Sequence, residues 1–380
     1  MGSLLTVNRP SKQILVLGAA CAIAIVYAMR KKDAVGGVSE DVPKVWRKVA
    51  EVSGLYVYPV RSGHAISVER AECTKHGIKT GPYRDRAFML LNQRGERISS
   101  KKYPSLVLLN LRLNDTSLTL RFKDKQDLTI DMNECKDRKR FELYGAMFDA
   151  RCLGPVVSEW LTESFIPPDE RGEQTLFLVY HDQPTNQRLM KTSHFQDLLQ
   201  PTDNPLFASE APYLLCSEAS LSDLQQRIKR NQDANVSDFQ QRIKRNQDAN
   251  ESEPEVQALD FRPNILIRQA EHAPNLLPFA EDDWRWIKLG KDENDESGVI
   301  LRKAGDCPRH VAKCAITAVS HEHGVKRRSL EPMMSLKMYR QHPDPETNRW
   351  FKYQPRFGAF FAAESQGFVS VGNFVYVGVR

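Results

Sequence analysis

Ser53-Gly54-Leu55-Tyr56-Val57-Tyr58-Pro59-Val60-Arg61-Ser62-Gly63 is the stretch that decides the fold class. Its first eight residues are rich in aromatic and β-branched side chains and read as a strand, which stops at a polar, glycine-bearing turn. Strand-like runs follow at short spacing: Ala65 to Cys73, Ala87 to Asn92, Leu106 to Leu113, Leu118 to Phe122, Leu128 to Met132 and Phe141 to Tyr144. Turn signals such as Asn92-Gln93-Arg94-Gly95 and Asn114-Asp115-Thr116 separate them. So many short strands in succession predict a barrel or a sandwich rather than alternating β-α units. Pro155 to Phe165 breaks the pattern with a helix opened by proline, placing Val156, Val157, Trp160, Leu161 and Phe165 on one face.

Farther along, Gln174 to Tyr180 returns to strand, and 181–211 is a long polar loop of the kind that is functional or mobile. Tyr213 to Cys216 is a strand, after which Ser217 and Ser220 offer caps for a helix starting near Leu221. That helix holds an internal repeat, in which Ser222 to Val236 recurs almost unchanged as Ser237 to Glu251. Each copy carries two apolar residues on its face, Leu224 with Ile228 and Phe239 with Ile243, so 222–251 reads as a solvated helical insert, with a partner-binding helix as the functional alternative. Ile265 to Ile267, Trp284 to Leu289, Val299 to Lys303 and Cys314 to Val319 are the next expected strands. A short helix over Ser335 to Gln341 follows, then Phe357 to Ala362 and a closing pair over Phe368 to Val379 turning at Gly372-Asn373.

With 380 residues, 41% hydrophobic and 27% charged, the chain can bury a real core in one large domain or two ordinary ones. The formal charge of +6 is mild, and no basic run is interleaved with aromatics, which disfavours nucleic acid as a partner. Seven scattered cysteines argue for a reducing compartment rather than a disulfide framework. Ile14 to Met29 is an uncharged apolar segment with Arg30, Lys31 and Lys32 directly behind it. It reads as an uncleaved membrane anchor in preference to a secretory signal, and the basic C-terminal flank puts the body in the cytosol. Residues 33–50 serve as a linker.

There is no dinucleotide fingerprint, no phosphate loop and no His-Glu-x-x-His. Cys314 instead draws attention, because it stands where a polar turn becomes an apolar run, with Arg309, Lys313 and His310 nearby to favour a thiolate. The residues alone leave its role open between a buried hydrophobe and a site thiol. Cys307-x-x-His310-x-x-x-Cys314, followed by His321 and His323, is compatible with zinc but lacks a paired Cys-x-x-Cys. A second constellation is basic: Arg61-Ser62, Arg84-Asp85-Arg86, Ser209, and Arg262 with Asn264 can form one anion site, since guanidinium suits oxyanions.

Read together, Val57-Tyr58-Pro59-Val60-Arg61-Ser62, Tyr83-Arg84-Asp85-Arg86, Ser217-Glu218-Ala219-Ser220-Leu221, Phe261-Arg262-Pro263-Asn264 and Lys313-Cys314 resemble the MOSC family, and within it the members that reduce amidoximes. The resemblance covers roughly residues 50 to 380. It implies a β-rich α+β fold: a membrane-anchor helix within 1–32, an N-terminal MOSC β-barrel-like domain over 51–180 and a C-terminal MOSC β-barrel over 181–380. It also implies a molybdenum cofactor, whose metal Cys314 holds as ligand and catalytic residue, and whose phosphate and pterin meet Arg61, Ser62, Arg86, Ser209, Arg262, Asn264 and Lys313. Arg61 replaces a lysine of the family pattern, Ala312-Lys313 replaces Ser-Arg, and Glu210 stands in a turn that is usually hydroxyl-rich.

The function implied is an oxidoreductase that reduces amidoximes and hydroxylamines with electrons from NADH through cytochrome b5 reductase and cytochrome b5. Its implied location is the mitochondrial outer membrane. A cofactor carrier or sulfur-transfer module is the alternative within the family, though the chain has no room for the pyridoxal-phosphate domain of sulfurase fusions. A zinc-stabilised, membrane-tethered interaction domain using Cys307, His310 and Cys314 is the alternative outside it.

Overall fold

The structure, a computed structural model, describes residues 42–182, 200, 203, 205–234, 253–309 and 315–379. The apolar segment at 14–29 and the second repeat copy at 237–251 lie outside the described residues. The first strand, β1 (Val45–Val57), begins inside the stretch expected to be linker and ends just before Pro59, which has no N–H to continue a ladder. After it come β2 (Ile66–Val68), β3 (Arg70–Thr74), β4 (Gly77–Thr80), β5 (Tyr83–Arg84) and β6 (Phe88–Asn92). The expected strand from Leu106 to Leu113 is split: Pro104 opens a 3-10 turn through Leu108, and only β7 (Asn110–Leu113) is extended. Next are β8 (Ser117–Arg121), β9 (Leu128–Asp131), β10 (Arg138–Leu143) and a strand the sequence reading passed over, β11 (Ala146–Cys152).

Helix α1 (Gly154–Phe165) carries Pro155 in its first turn and buries Val157, Trp160, Leu161 and Phe165. Val156, expected on the same face, is exposed. A short α2 (Pro168–Arg171) and β12 (Leu176–Tyr180) follow. Sheets β10-β11-β12-β6 and β7-β8-β9 enclose α1 in a core that includes Leu90, Leu118, Leu120, Val157, Leu161 and Leu178.

The remaining elements are β13 (Tyr213–Ser217), α3 (Glu218–Ala234), a 3-10 turn (Ala258–Phe261), β14 (Ile265–Gln269), β15 (Trp286–Gly290) and β16 (Val299–Pro308). Beyond a 3-10 turn over Ala315–Ala318 lie α4 (Met333–Tyr339), α5 (Pro345–Trp350), β17 (Arg356–Ala363), β18 (Gly367–Ser370) and β19 (Phe374–Val379). Strands β14-β13-β17-β16-β15-β19-β1 pair in that order, and β1 closes on β14, making a seven-stranded barrel among the described residues. Neighbours are antiparallel except β13 and β14. A closed barrel leaves no free edge, and here the N-terminal β1 fills the gap between staves that all come from the second half of the chain. Register shifts in β1, between Val52 and Gly54 against β14 and between Lys48 and Ala50 against β19, bend this 13-residue strand around the closure.

Alternate residues of the staves face different cores. Tyr213, Leu215, Ile265, Ile267, Ala359 and Phe361 belong to one core; Leu214, Cys216, Leu266, Phe360 and Ala362 belong to another, shared with α3 and α4. Burial on both faces is why these strands read as continuous apolar runs. The first repeat copy therefore differs from the solvated insert expected of it. Leu224 and Ile228, one helical turn apart, are buried in that outer core, and Gln225 Nε2 donates to Val256 O at 2.8 Å.

Two further expectations are corrected. β18 and β19 do not form a hairpin about Gly372-Asn373; β18 pairs with β3 while β19 joins the barrel, and the Gly372 N–H donates to Val52 O at 2.9 Å, tying the turn to β1. The run expected as a strand to Val319 has a 3-10 turn over Ala315–Ala318, and Val319 forms only an isolated bridge to Lys326. Arg327 captures this segment locally, its N–H donating to Ala318 O at 2.7 Å, so the β-branched side chains there do not extend into a ladder.

Candidate active site

Where β1 ends, residues 58–62 are knitted to 85–88. The Tyr58 N–H donates to Asp85 Oδ1 at 2.9 Å, the Arg86 N–H to Tyr58 O at 2.6 Å, and the Arg61 N–H to Phe88 O at 2.7 Å. Ser62 then adopts φ +67, Arg86 has φ +52 and Arg262 has φ +59. Left-handed backbone is uncommon for residues with a Cβ, and strain of this kind persists where the surroundings over-determine it. Three of the seven residues expected to touch a cofactor share this unusual backbone.

Arg262 caps the Ala258–Phe261 turn and returns its side chain to the loop after β1, donating from Nη1 to Gly63 O at 2.6 Å. Gly63 has no room for a side chain, because a Cβ there would meet Val60 Cβ at 2.6 Å. Arg262 and Arg86 share the buried Tyr58 ring, with Cζ 4.0 and 5.1 Å from its centroid. Arg86 pairs with Asp85 and reaches Asn264 Oδ1 and Arg262 O, each at 3.4 Å. Arg61 donates to Phe207 O and to the Tyr144 hydroxyl, which also accepts from Arg97 at 2.6 Å.

Burial pulls Arg262 down to about 9; Arg86 and Arg61 push the same way, while Tyr58 and Asp85 oppose them. It remains a cation at neutral pH, although taking a charge out of water is costly. Burial also pushes the Tyr58 phenol well up, so this hydroxyl stays neutral, and its oxygen has no hydrogen-bond partner. The groups acting on Arg262 thus include two more guanidiniums against one carboxylate. An excess of positive charge, partly or wholly buried, around a single acid is the electrostatic description of an anion site.

The structure brings Arg61, Ser62, Arg86, Arg262 and Asn264 together, and Ser209 flanks them two residues beyond Phe207, whose N–H donates to Arg86 O at 3.1 Å. Arg84 lies instead in β5, paired with Lys79. Asn264 holds backbone: its Oδ1 accepts from the Leu214 N–H at 3.2 Å, and its Nδ2 donates to Tyr56 O at 3.2 Å. Lys313, Cys314 and His310 lie outside the described residues. Their flanks do not. Before them, the buried Arg309 spends its guanidinium on Phe357 O at 2.7 Å and Phe261 O at 3.2 Å rather than serving as the free cation expected beside a thiol. After them, Arg327 donates to Asp260 Oδ2 at 2.7 Å, and the His321 N–H donates to Asp260 Oδ1 at 2.8 Å. Both flanks are fastened to the Ala258–Phe261 turn, the one that delivers Arg262.

Residues 49–167 match the MOSC N-terminal beta barrel domain and residues 192–376 match the MOSC domain. The chain belongs to the MOSC family. Among relatives of this MOSC chain, human mitochondrial amidoxime-reducing component 1 is 29% identical over 336 residues, covering 88% of this chain and 85% of the relative. The mouse protein of the same name is 29% identical over 87% and 83%, and cattle mitochondrial amidoxime reducing component 2 is 27% identical over 87% and 84%.

The described part of the MOSC site fits a phosphate-bearing cofactor, since it offers one buried and two partly buried guanidiniums, Arg262 with Arg61 and Arg86, against the single carboxylate of Asp85. His310 and Cys314, two of the three residues expected of a zinc site, lie outside the described residues; among the described residues no group of three His, Cys, Asp or Glu can hold a metal ion. Tyr58, Tyr144 and the Asp260–Arg327 pair were not singled out from sequence. Tyr58 had a signal in its place beside Arg61-Ser62, whereas Arg327 in Lys326-Arg327-Arg328 looks like any surface basic run.

Proposed function

We propose that this MOSC chain is a molybdenum-cofactor oxidoreductase that reduces N-hydroxylated compounds, amidoximes and hydroxylamines among them. One observation carries the reading. Both flanks of the Cys314 segment are hydrogen-bonded to the turn that delivers Arg262. The described residues before and after that segment therefore share one framework with the guanidiniums suited to a phosphate. The names of the relatives support the same activity.

In this reading Arg61, Arg86, Arg262 and Lys313 neutralise the cofactor's phosphate, Ser62 and Ser209 hydrogen-bond to the cofactor, and Asn264 fixes the backbone that presents them. Cys314 is the sulfur ligand, a soft donor suited to such a metal. The cofactor, when bound, supplies the redox chemistry. Overall, an N–OH group takes two electrons and two protons and leaves as N–H plus water. Electrons come from NADH through cytochrome b5 reductase and cytochrome b5. The apolar segment at 14–29 anchors the chain in the mitochondrial outer membrane, with the body in the cytosol beside those partners.

The test is reduction of benzamidoxime by the full chain in lipid vesicles with cytochrome b5, its reductase and NADH. NADH-dependent formation of benzamidine, lost in Cys314→Ala, is the expected result. Bound molybdenum and pterin without turnover would make the chain a cofactor carrier or sulfur-transfer module. Zinc without molybdenum or pterin would make it a tethered interaction domain.

A further inference from the structure

Two imidazoles stand within electrostatic reach of Arg262, and the proposed reaction leaves them without a role. His64 directly follows the Gly63 carbonyl that accepts from Arg262, and its ring is hydrogen-bonded to the Val107 backbone. His321 lies against it edge to face, with ring centroids 5.3 Å apart and planes at 61°. The His321 backbone is pinned by its N–H bond to Asp260, and the residue is only 8% exposed. Nevertheless its Nε2 is buried without a hydrogen-bond partner among the described residues. Buried polar atoms are nearly always paired, so an orphan beside a cluster of cations calls for a ligand.

We infer that His321, buttressed by His64, is a further oxyanion-binding group of the arginine site, and that it takes up a proton from solvent to donate from Nε2 when a phosphate group arrives. The inference rests on the reading of Arg61, Arg86 and Arg262 as an oxyanion site, and the phosphate it commits to is that of the cofactor. Among the described residues, the charged and titratable groups that bear on His321 are Arg262 and His64 from their two loops, and Asp260, with Arg327 behind it, from the turn below. Burial comes first among the causes that pull His321 down to about 4, and Arg262 and then His64 add to it. His64 is lowered by burial and by Arg262. The His321 ring is therefore neutral while the site lacks an anion, and the His64 ring is biased toward the neutral form. A dianion offsets the guanidinium field, which favours the imidazolium. Ligand binding and proton binding then reinforce each other, so affinity rises as pH falls.

Sulfate is the probe, because it stays a dianion over the working range and any proton uptake belongs to the protein. It is titrated calorimetrically into the cofactor-free full chain between about pH 5.5 and pH 7.5. Wild type should bind roughly tenfold more tightly at the acid end, as linkage to a single proton allows. His321→Gln keeps a side-chain amide donor but cannot titrate; it should bind with no slope against pH. His321→Ala should bind several-fold more weakly and equally without slope, and thermal melts show whether each variant is folded. The cofactor-loaded wild type should bind no sulfate here, since the cofactor's phosphate fills the place. Sulfate binding by wild type without a pH slope, a slope retained in His321→Gln, or undiminished binding to the loaded chain would each overturn the proposal while leaving the arginine site standing. No sulfate binding by wild type at any pH would overturn the arginine site as well.

Discussion

Arg327 and Asp260 form an ion pair of 2.7 Å whose side chains are each about 1% exposed, and this pair fastens the chain beyond Cys314 to the turn carrying Arg262. Arg327 also donates to Pro254 O at 2.8 Å, Glu255 O at 2.7 Å and Thr317 O at 3.4 Å, so one guanidinium serves four acceptors. Burial raises the Asp260 carboxyl even against the pull of Arg327, which shows how fully the pair is removed from water. Removing one partner of such a pair leaves a buried charge alone and costs about 3–5 kcal/mol. Arg327→Met should lower the unfolding free energy by that order in denaturant melts. Adding Asp260→Asn to it should recover part of the loss. A neutral single variant would show that the pair does not hold this turn.

Glu281 gives a pH dependence of opposite sense to acid unfolding. Its carboxyl is fully buried, Oε1 accepts from Ser220 Oγ at 2.8 Å, and Oε2 has no partner. Burial is the main cause that pushes it up to about 7. The folded state binds this proton more tightly than the unfolded chain, whose glutamates titrate near 4.3. Its contribution to stability is therefore complete below about pH 4.3 and is lost as pH rises toward 7. Glu281→Gln keeps a hydrogen bond to Ser220 and removes the ionisation, so it should be more stable than wild type by about 1–3 kcal/mol at pH 8 and close to neutral at about pH 4. Equal effects at the two pH values would contradict the assignment.

The two repeat copies should behave differently under mutation. Leu224, on the inward face of α3, is wholly buried, and Asn231 Nδ2 donates to Ser335 Oγ at 3.0 Å. Leu224→Ala should cost about 2–5 kcal/mol, the usual range for emptying a core leucine. Deleting 237–251 leaves every described contact of α3 in place. Shortening a connection by that much changes closure entropy by less than about 1 kcal/mol, so melting temperature should move little. A collapse of stability in the deletion variant would assign the second copy a packing role.

Much of this architecture was legible in the chain because short apolar runs flanked by turn residues have few other uses. Pro155 marked the start of α1, whereas the strand read through Val60 stops at Val57, before Pro59. Pairing was less legible, because partners are chosen by closure over the whole sheet. Nothing local in Val45 to Glu51 says that it will stand between β14 and β19, and Gly372-Asn373 looks like a hairpin turn although its flanking strands join different sheets. Repeat copy one misled for a related reason. Two apolar residues are too few to build a core, yet Leu224 and Ile228 are enough to complete one whose other walls lie far away in sequence. At the site, Arg262 and Arg86 were visible as arginines in turns. What the sequence could not display was that Arg86, not Arg84, shares the Tyr58 ring with Arg262, or that Arg309 would be turned onto backbone carbonyls.

The central claim, that buried guanidiniums and the Cys314 segment form one cofactor site, is tested most directly by the molybdenum and pterin content of the purified full chain, wild type beside Arg262→Lys and Cys314→Ala. Wild type should carry both in near-equal amounts. Arg262→Lys keeps the charge but loses the fork that reaches Gly63 O and covers Tyr58, and should retain roughly a tenth or less of each, as loss of a buried charge-assisted contact implies. Cys314→Ala should lose metal while keeping more of the pterin. Wild-type protein with zinc but neither molybdenum nor pterin, or full cofactor content in folded Arg262→Lys, would contradict the account.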